Sequence, residues 1–286
     1  LTTLATAAFA SHLGASGGFG WRERLVTLAL LLGASQLAVA LMNWLATLVI
    51  KPCLLPRLDF TAGIAPGCRT IVVVPTLLTG PAAVDRLIET LEIHQLANRD
   101  EHLHFALLTD FTDAATESEP ADAALLARAR AGIARLNAHY PGPGHDRFFL
   151  FHRPRRWNAS EGCWMGYERK RGKLTEFNAV LRGGSRDRFS ALVGDPAILP
   201  ALKYVITLDT DTQLPRDAAR RLVGTMTHPL NRPRFDPVRG VVVEGYGILQ
   251  PRVGVSLPGA GRSWFVRLFA GDAGIDPYTR AVSDVY

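Results

Sequence analysis

Between residues 70 and 227, short β-branched apolar runs take turns with stretches of helical apolar spacing. Residues 70–74, 105–108, 148–151 and 204–208 read as strands, and 83–96, 121–140, 173–181 and 217–226 as helices. Two further short strands are expected at 241–244 and 248–251. In 83–96 the helical signal comes from Val84, Leu87, Ile88 and Leu91, which recur along one face of a 3.6-residue turn. Elements of this length in alternation leave few arrangements, because βα units close onto a largely parallel sheet. The fold class is therefore α/β. Ligands of such sheets sit beyond the carboxyl ends of the strands, so the residues at strand ends carry the functional question.

Those residues are polar. Thr76 follows the first strand, Asp110 the second, Lys173 opens a helix, and Asp209 and Asp211 follow the strand at 204–208. Asp-x-Asp is common in turns, where a short carboxylate caps the backbone. At the end of an apolar strand it gains a second meaning, since residues i and i+2 of a strand lie on one side. Two hard oxygen ligands suit Mg²⁺ or Mn²⁺, which need one or two protein carboxylates beside substrate phosphates. A carboxylate at Asp110 can accept from a base N–H, and Lys173 can offset phosphate charge. Together these groups suit a nucleoside diphosphate conjugate, with the metal as Lewis acid on the leaving diphosphate.

Charge supports an anionic ligand without naming it. The chain has 286 residues and a net charge of +6. Arg153, Arg155, Arg156, Arg169, Lys170, Arg171 and Lys173 form one basic cluster, which reads either as a solvated face or as a site for diphosphate, anionic lipid or nucleic acid. Residues 25–50 contain no charged side chain. As a helix they would extend about 39 Å, enough to span a bilayer core of ~30 Å. Arg22, Arg24 and Lys51 flank them, with Trp21 and Trp44 near the ends. The balance of basic residues slightly favours a cytoplasmic position for the main domain. The three cysteines, Cys53, Cys68 and Cys163, show neither a disulfide framework nor zinc spacing.

Several motifs fail. The stretch from Gly166 to Lys173 has the wrong glycine spacing for a phosphate loop and Leu174 where Ser or Thr belongs. Gly245-Tyr246-Gly247 leads to Gln250 at the third glycine position of a dinucleotide fingerprint. Gly14-Ala15-Ser16-Gly17-Gly18 has no strand before it to make a nucleophile elbow. His102 and His104 are expected at an exposed strand start.

The order Val72-Val73-Val74-Pro75, Leu107-Leu108-Thr109-Asp110, Gly172-Lys173-Leu174-Thr175-Glu176-Phe177-Asn178 and Leu208-Asp209-Thr210-Asp211 resembles the GT-A glycosyltransferases of the cellulose and hyaluronan synthase type. The longer strings Thr109-Asp110-Phe111-Thr112-Asp113, Glu168-Arg169-Lys170-Arg171-Gly172-Lys173, Asp211-Thr212-Gln213-Leu214-Pro215 and Phe269-Ala270-Gly271-Asp272-Ala273-Gly274-Ile275-Asp276-Pro277-Tyr278 are similar to the glycosyltransferase domain of cyclic β-1,2-glucan synthases. The resemblance implies a Rossmann-like GT-A domain over 69–286, incomplete at its C-terminus, after a membrane region at 1–51 and a connector at 52–68. It also implies UDP-glucose as donor, a β-glucan acceptor, an inverting hexosyl transfer, and a multi-pass protein of the bacterial inner membrane. No nucleic-acid partner is expected.

By match to the family pattern, Asp110 would contact the uracil, Lys173 the diphosphate, and Asp209 with Asp211 the metal and phosphates. Thr76 and Asn178 would lie near the nucleotide. The pattern's general base and its acceptor-channel string are not recognisable, so both are expected beyond Tyr286, and the piece alone is expected to be inactive. Asp272, Asp276 and Asp284 are candidates for acceptor-side roles. Within the family, another sugar or linkage stays open. So do two other classes: a nucleotidyltransferase-like enzyme with the same metal geometry, and a non-catalytic basic membrane module.

Overall fold

In the computed structural model, which describes residues 20–49 and 55–251, the chain divides into two compact units. One is Pro56–Arg232; the other joins Leu1–Leu55 with Pro233–Tyr286. The first unit holds strands β1 (Thr70–Leu78), β2 (Leu103–Phe111) and β3 (Phe148–His152), with helices α2 (Pro81–Ala97) and α3 (Asp122–His139) as crossovers. A hairpin of β4 (Arg156–Asn158) and β5 (Cys163–Met165) comes next, then α4 (Arg169–Leu181), β6 (Ala191–Val193), β7 (Tyr204–Thr207) and α5 (Ala218–Thr227).

The central sheet has five strands in the order β6-β3-β2-β1-β7. β1, β2, β3 and β7 run parallel, and β6 pairs antiparallel with β3. Strand alternation decides the layers. Val72, Val74, Phe105, Leu107, Phe148 and Leu150 face one side, where they pack with Val84, Ile88 and Leu91 of α2 and Ala129 and Ile133 of α3. The intervening Ile71, Val73, Ala106, Leu108, Phe149 and Phe151 face the other side, against Phe177 and Val180 of α4. The strands are apolar on both faces because helices cover both.

This layering locates a switch point. From β1 to β3 the chain steps one way across the sheet with α2 and α3 on one face. β7 then lies on the far side of β1, and α4 packs on the opposite face. The crevice of an open α/β sheet opens where the strand order reverses, which here is the carboxyl edge of β1 and β7.

Several sequence expectations are corrected. β1 and β2 run past the expected ends, so Thr76 and Asp110 lie inside strands, with Leu77 paired to Asp110. Pro75 is tolerated in β1 because β7 pairs only as far as Val73. Residues 248–251 form no strand. His104 is buried within β2, held by Arg69 at 3.1 Å and the Asp146 carbonyl at 3.0 Å, so it is no exposed strand start.

In the second unit, α1 (Trp21–Val49) and a hairpin of β8 (Arg234–Asp236) and β9 (Val241–Glu244) are described. The spanning helix expected at 25–50 is corrected: among the described residues no helix is long and apolar enough to cross a membrane. Leu25, Leu28, Leu32, Leu41 and Leu45 of α1 are nonetheless exposed.

Candidate active site

At the carboxyl edge, a buried ionic centre forms around Asp110. Its Oδ1 accepts from Arg153 Nε at 2.8 Å and its Oδ2 from Arg153 Nη2 at 2.8 Å. Lys173 Nζ lies 3.0 Å from the same Oδ2 and donates to the Thr76 carbonyl at 2.5 Å. Asp110 is 0% exposed, and Arg153 and Lys173 are each 3% exposed. Arg153 also donates to Glu176 at 3.1 Å and to the carbonyls of Tyr167 and Arg169, both at 3.2 Å. Two parallel bonds to one carboxylate are the geometry a guanidinium fork is built for. Burial lowers the Lys173 ammonium, opposed by the charge of Asp110. For Arg153 burial acts downward, but the bonds to Asp110 and Glu176 prevail and raise it.

The backbone is shaped to this centre. A Cβ on Gly166 would come within 2.3 Å of Asp110 Oδ2, so only glycine lets the chain pass there. The next turn holds Glu168 and Arg169 at φ 53° and 46°, consecutive left-handed residues without glycine. Each such residue costs about 1–3 kcal/mol and persists where surrounding contacts enforce it. They turn the chain into α4, which carries Lys170 and Lys173 within its first five residues. Residues three apart lie on one side of a helix.

Lys170 reaches the loop after β7 and pairs with Asp209 Oδ1. The second carboxylate, Asp211, is exposed and makes no ion pair among the described residues. β7 ends at Thr207, and Thr212 N donates to the Asp209 carbonyl at 3.0 Å. The pair therefore sits in a turn, not on a continued strand, which corrects the expected i, i+2 alignment. Two exposed carboxylates in one turn at the switch point, one already holding a cationic ammonium, fit a divalent ion completed by substrate phosphates.

The structure brings Thr76, Asp110 and Lys173 together and joins Asp209 to the same helix. It does not bring in Asn178, which is exposed about 140° around α4 from Lys173. Most of the basic cluster is ion-paired with acidic side chains. Arg155 is buried on Asp122, Arg169 bridges Asp113 at 3.0 Å and Glu161 at 2.8 Å, and Arg171 pairs with Glu168. Sequence reasoning missed Arg153 as the partner of Asp110 and Lys170 as the partner of Asp209. It also missed His152, whose Nδ1 lies 2.9 Å from Thr109 Oγ1 and whose buried Nε2 has no hydrogen-bond partner among the described residues. Burial pushes His152 down to about 4, with Asp110 acting upward and Lys173 downward. Asp272, Asp276 and Asp284 lie outside the described residues.

A cavity of about 580 Å³ lies at the other edge, lined by Gly63, Gln95, Asp100, Arg147 and Arg220. It opens before β1, β2 and β3 and is separate from the ionic centre.

No family model matches the chain. Over 287 aligned residues covering its whole length, the chain is 45% identical to the cyclic beta-(1,2)-glucan synthase NdvB of Rhizobium meliloti (strain 1021). It spans about a tenth of that protein's length.

Proposed function

Because the whole chain corresponds to a segment of a cyclic β-(1,2)-glucan synthase, we propose that it is the donor-binding part of a GT-A glycosyltransferase. In this reading it moves glucose from UDP-glucose to a growing β-1,2-glucan. The observation that carries the reading is that one helix, α4, contacts both sides of the β1/β7 switch point, through Lys173 on Thr76 of β1 and through Lys170 on Asp209 after β7. Fold likeness alone would leave the chemistry open; lysines and carboxylates at that edge supply what a nucleoside diphosphate needs.

The roles rest on exposure. Asp110 is sealed from solvent and saturated by Arg153 and Lys173, so it positions the two cations and does not itself meet a base. Lys170, half-exposed, is free to leave Asp209 for a diphosphate oxygen. Asp209 and Asp211 would hold Mg²⁺ or Mn²⁺, which would stabilise charge on the leaving diphosphate. An acceptor hydroxyl oxygen bonds to the anomeric carbon as the bond to the diphosphate oxygen breaks. The electron pair leaves with UDP, the hydroxyl proton passes to a general base, and the α linkage becomes β. Contact of the exposed α1 leucines with a bacterial membrane belongs to the same proposal.

Calorimetric titration of UDP with and without Mn²⁺ tests it. Binding is expected to depend on the ion and to weaken at least tenfold in Asp211→Ala. Metal-independent binding that ignores this substitution would refute the site.

A further inference from the structure

The amino edge of the central sheet holds a cavity that the donor site does not use. It measures about 580 Å³, inside the range of ~300–1,000 Å³ typical of small-molecule pockets. Its walls come from the loop before β1, the end of α2 with the turn into β2, Arg147 just before β3, and Arg220 of α5. Asp100 ties these walls together. Its side chain is 2% exposed and accepts from Ile64 N at 2.9 Å, His102 N at 3.0 Å and Arg220 Nε at 2.9 Å. Its carbonyl accepts from Arg147 Nη1 at 2.9 Å. Arg220 also donates to the carbonyl of Thr61 at 3.1 Å and to that of Arg99. Gly63 rounds the loop at φ 131°, a conformation that glycine adopts without strain. Bonds between distant parts of the chain thus shape the cavity before any ligand arrives, so binding orders little.

The charges left over narrow the ligand. Arg220 answers the charge of Asp100. Arg147 makes no side-chain hydrogen bond beyond the one to Asp100, Arg99 makes none, and neither has an ion-pair partner among the described residues. These two guanidinium groups stand against one further lining carboxylate, Glu101, so the cavity keeps an excess of positive charge. Guanidinium forks suit carboxylate and phosphate oxygens. A second observation adds hydroxyls. Gln95 is 5% exposed and lines the cavity, yet its Oε1 has no hydrogen-bond partner among the described residues, and neither has the buried Nδ1 of His102. Buried polar atoms are nearly always bonded. An amide oxygen needs a donor, which a bare oxyanion cannot supply and a hydroxyl can.

We infer that this cavity is a second small-molecule site, which takes a monosaccharide-sized polyol carrying a phosphate or carboxylate group. Arg99 and Arg147 bind the anionic oxygens, and Gln95 and His102 take the hydroxyls. The inference stands apart from the glycosyltransferase reading, because the cavity opens before β1, β2 and β3 and the donor centre lies at their carboxyl edge.

The test titrates the chain by calorimetry with glucose-6-phosphate, glucuronate, glucose and inorganic phosphate in turn. Glucose-6-phosphate, glucuronate or both are expected to bind at least tenfold more tightly than glucose or inorganic phosphate, and the tighter of the two identifies the anionic group. Saturating UDP with Mn²⁺ is expected to leave that affinity unchanged. Arg99→Met and Arg147→Met are each expected to weaken binding at least tenfold. Arg147 also holds the Asp100 carbonyl, so its variant is checked by far-UV circular dichroism. Arg99 is exposed, and its variant decides the test where the Arg147 variant does not fold. Binding of neither sugar anion, equal affinity for glucose or inorganic phosphate, displacement by UDP, or full affinity in Arg99→Met overturns the site.

Discussion

Arg153 grips Asp110 through two parallel bonds of 2.8 Å, and both side chains lie out of reach of solvent. Removing one partner of such a pair leaves an uncompensated buried charge, at a cost of about 3–5 kcal/mol. Asp110→Asn is expected to lose stability in that range by urea unfolding. Arg153→Lys, which keeps the charge but not the fork, is expected to lose at least about 1 kcal/mol, on the scale of one charged hydrogen bond. Unchanged unfolding midpoints in both variants would show that the centre is not closed as described.

The contact between Lys170 and Asp209 is of another kind. Both side chains are more than half exposed, so the pair adds little to stability. Its effect falls on ligands: the ammonium competes with a divalent ion for the same carboxylate. Lys170→Met is expected to leave the unfolding midpoint nearly unchanged, to raise Mn²⁺ affinity several-fold without nucleotide, and to weaken UDP. Calorimetry reads both affinities, and an Mn²⁺ affinity indifferent to the substitution rules the competition out.

Two buried histidines make stability depend on pH. Burial lowers His152 and His104 from 6.5 to about 4 each. Around His152 stand Asp110, Lys173, Asp122 and Arg155; around His104 stand Arg69, Arg147 and His145. With a folded value below the unfolded one, the unfolded chain takes up the proton first. Stability is therefore full above about pH 6.5 and falls as pH drops toward 4, by on the order of 3 kcal/mol per histidine. Urea unfolding between pH 7 and 4.5 should show the slope, and His152→Gln should flatten it. A flat profile in the unmodified chain would contradict the burial of both rings.

How much of this was legible depended on how local the signal was. The strand at 148–151 declared itself through four successive apolar residues that covered faces require. Ala191–Val193 did not, being three residues whose strand character comes only from pairing with β3. The β4–β5 hairpin was hidden for the same reason, since Trp157 and Trp164 find each other across the turn. Asp110 was legible as a site residue but not as a buried one. A carboxylate suggests a strand end, and only Arg153, distant in sequence, lets β2 carry it inward. Lys170 and Lys173 stood three apart in plain view, but reading Lys170 as the partner of Asp209 required the β1–β7 crossover.

The last expectation concerns Gly166, where packing and chemistry meet. A methyl there would sit 2.3 Å from Asp110 Oδ2 and 2.5 Å from its Cγ. Asp110 cannot yield, because Arg153 and Lys173 hold both of its oxygens, so the backbone leading to Glu168 and Arg169 must shift instead. That shift moves the first turn of α4, and with it Lys170 and Lys173. Gly166→Ala is therefore expected to destabilise by about 1–3 kcal/mol, the usual cost of overpacking, and to weaken UDP binding. Gly67→Ala is the control, because a Cβ there meets nothing within 4 Å. It should stay within about 0.5 kcal/mol of the parent in urea unfolding and bind UDP unchanged. If the two alanines behave alike, the close approach of Gly166 to Asp110 does not shape the site.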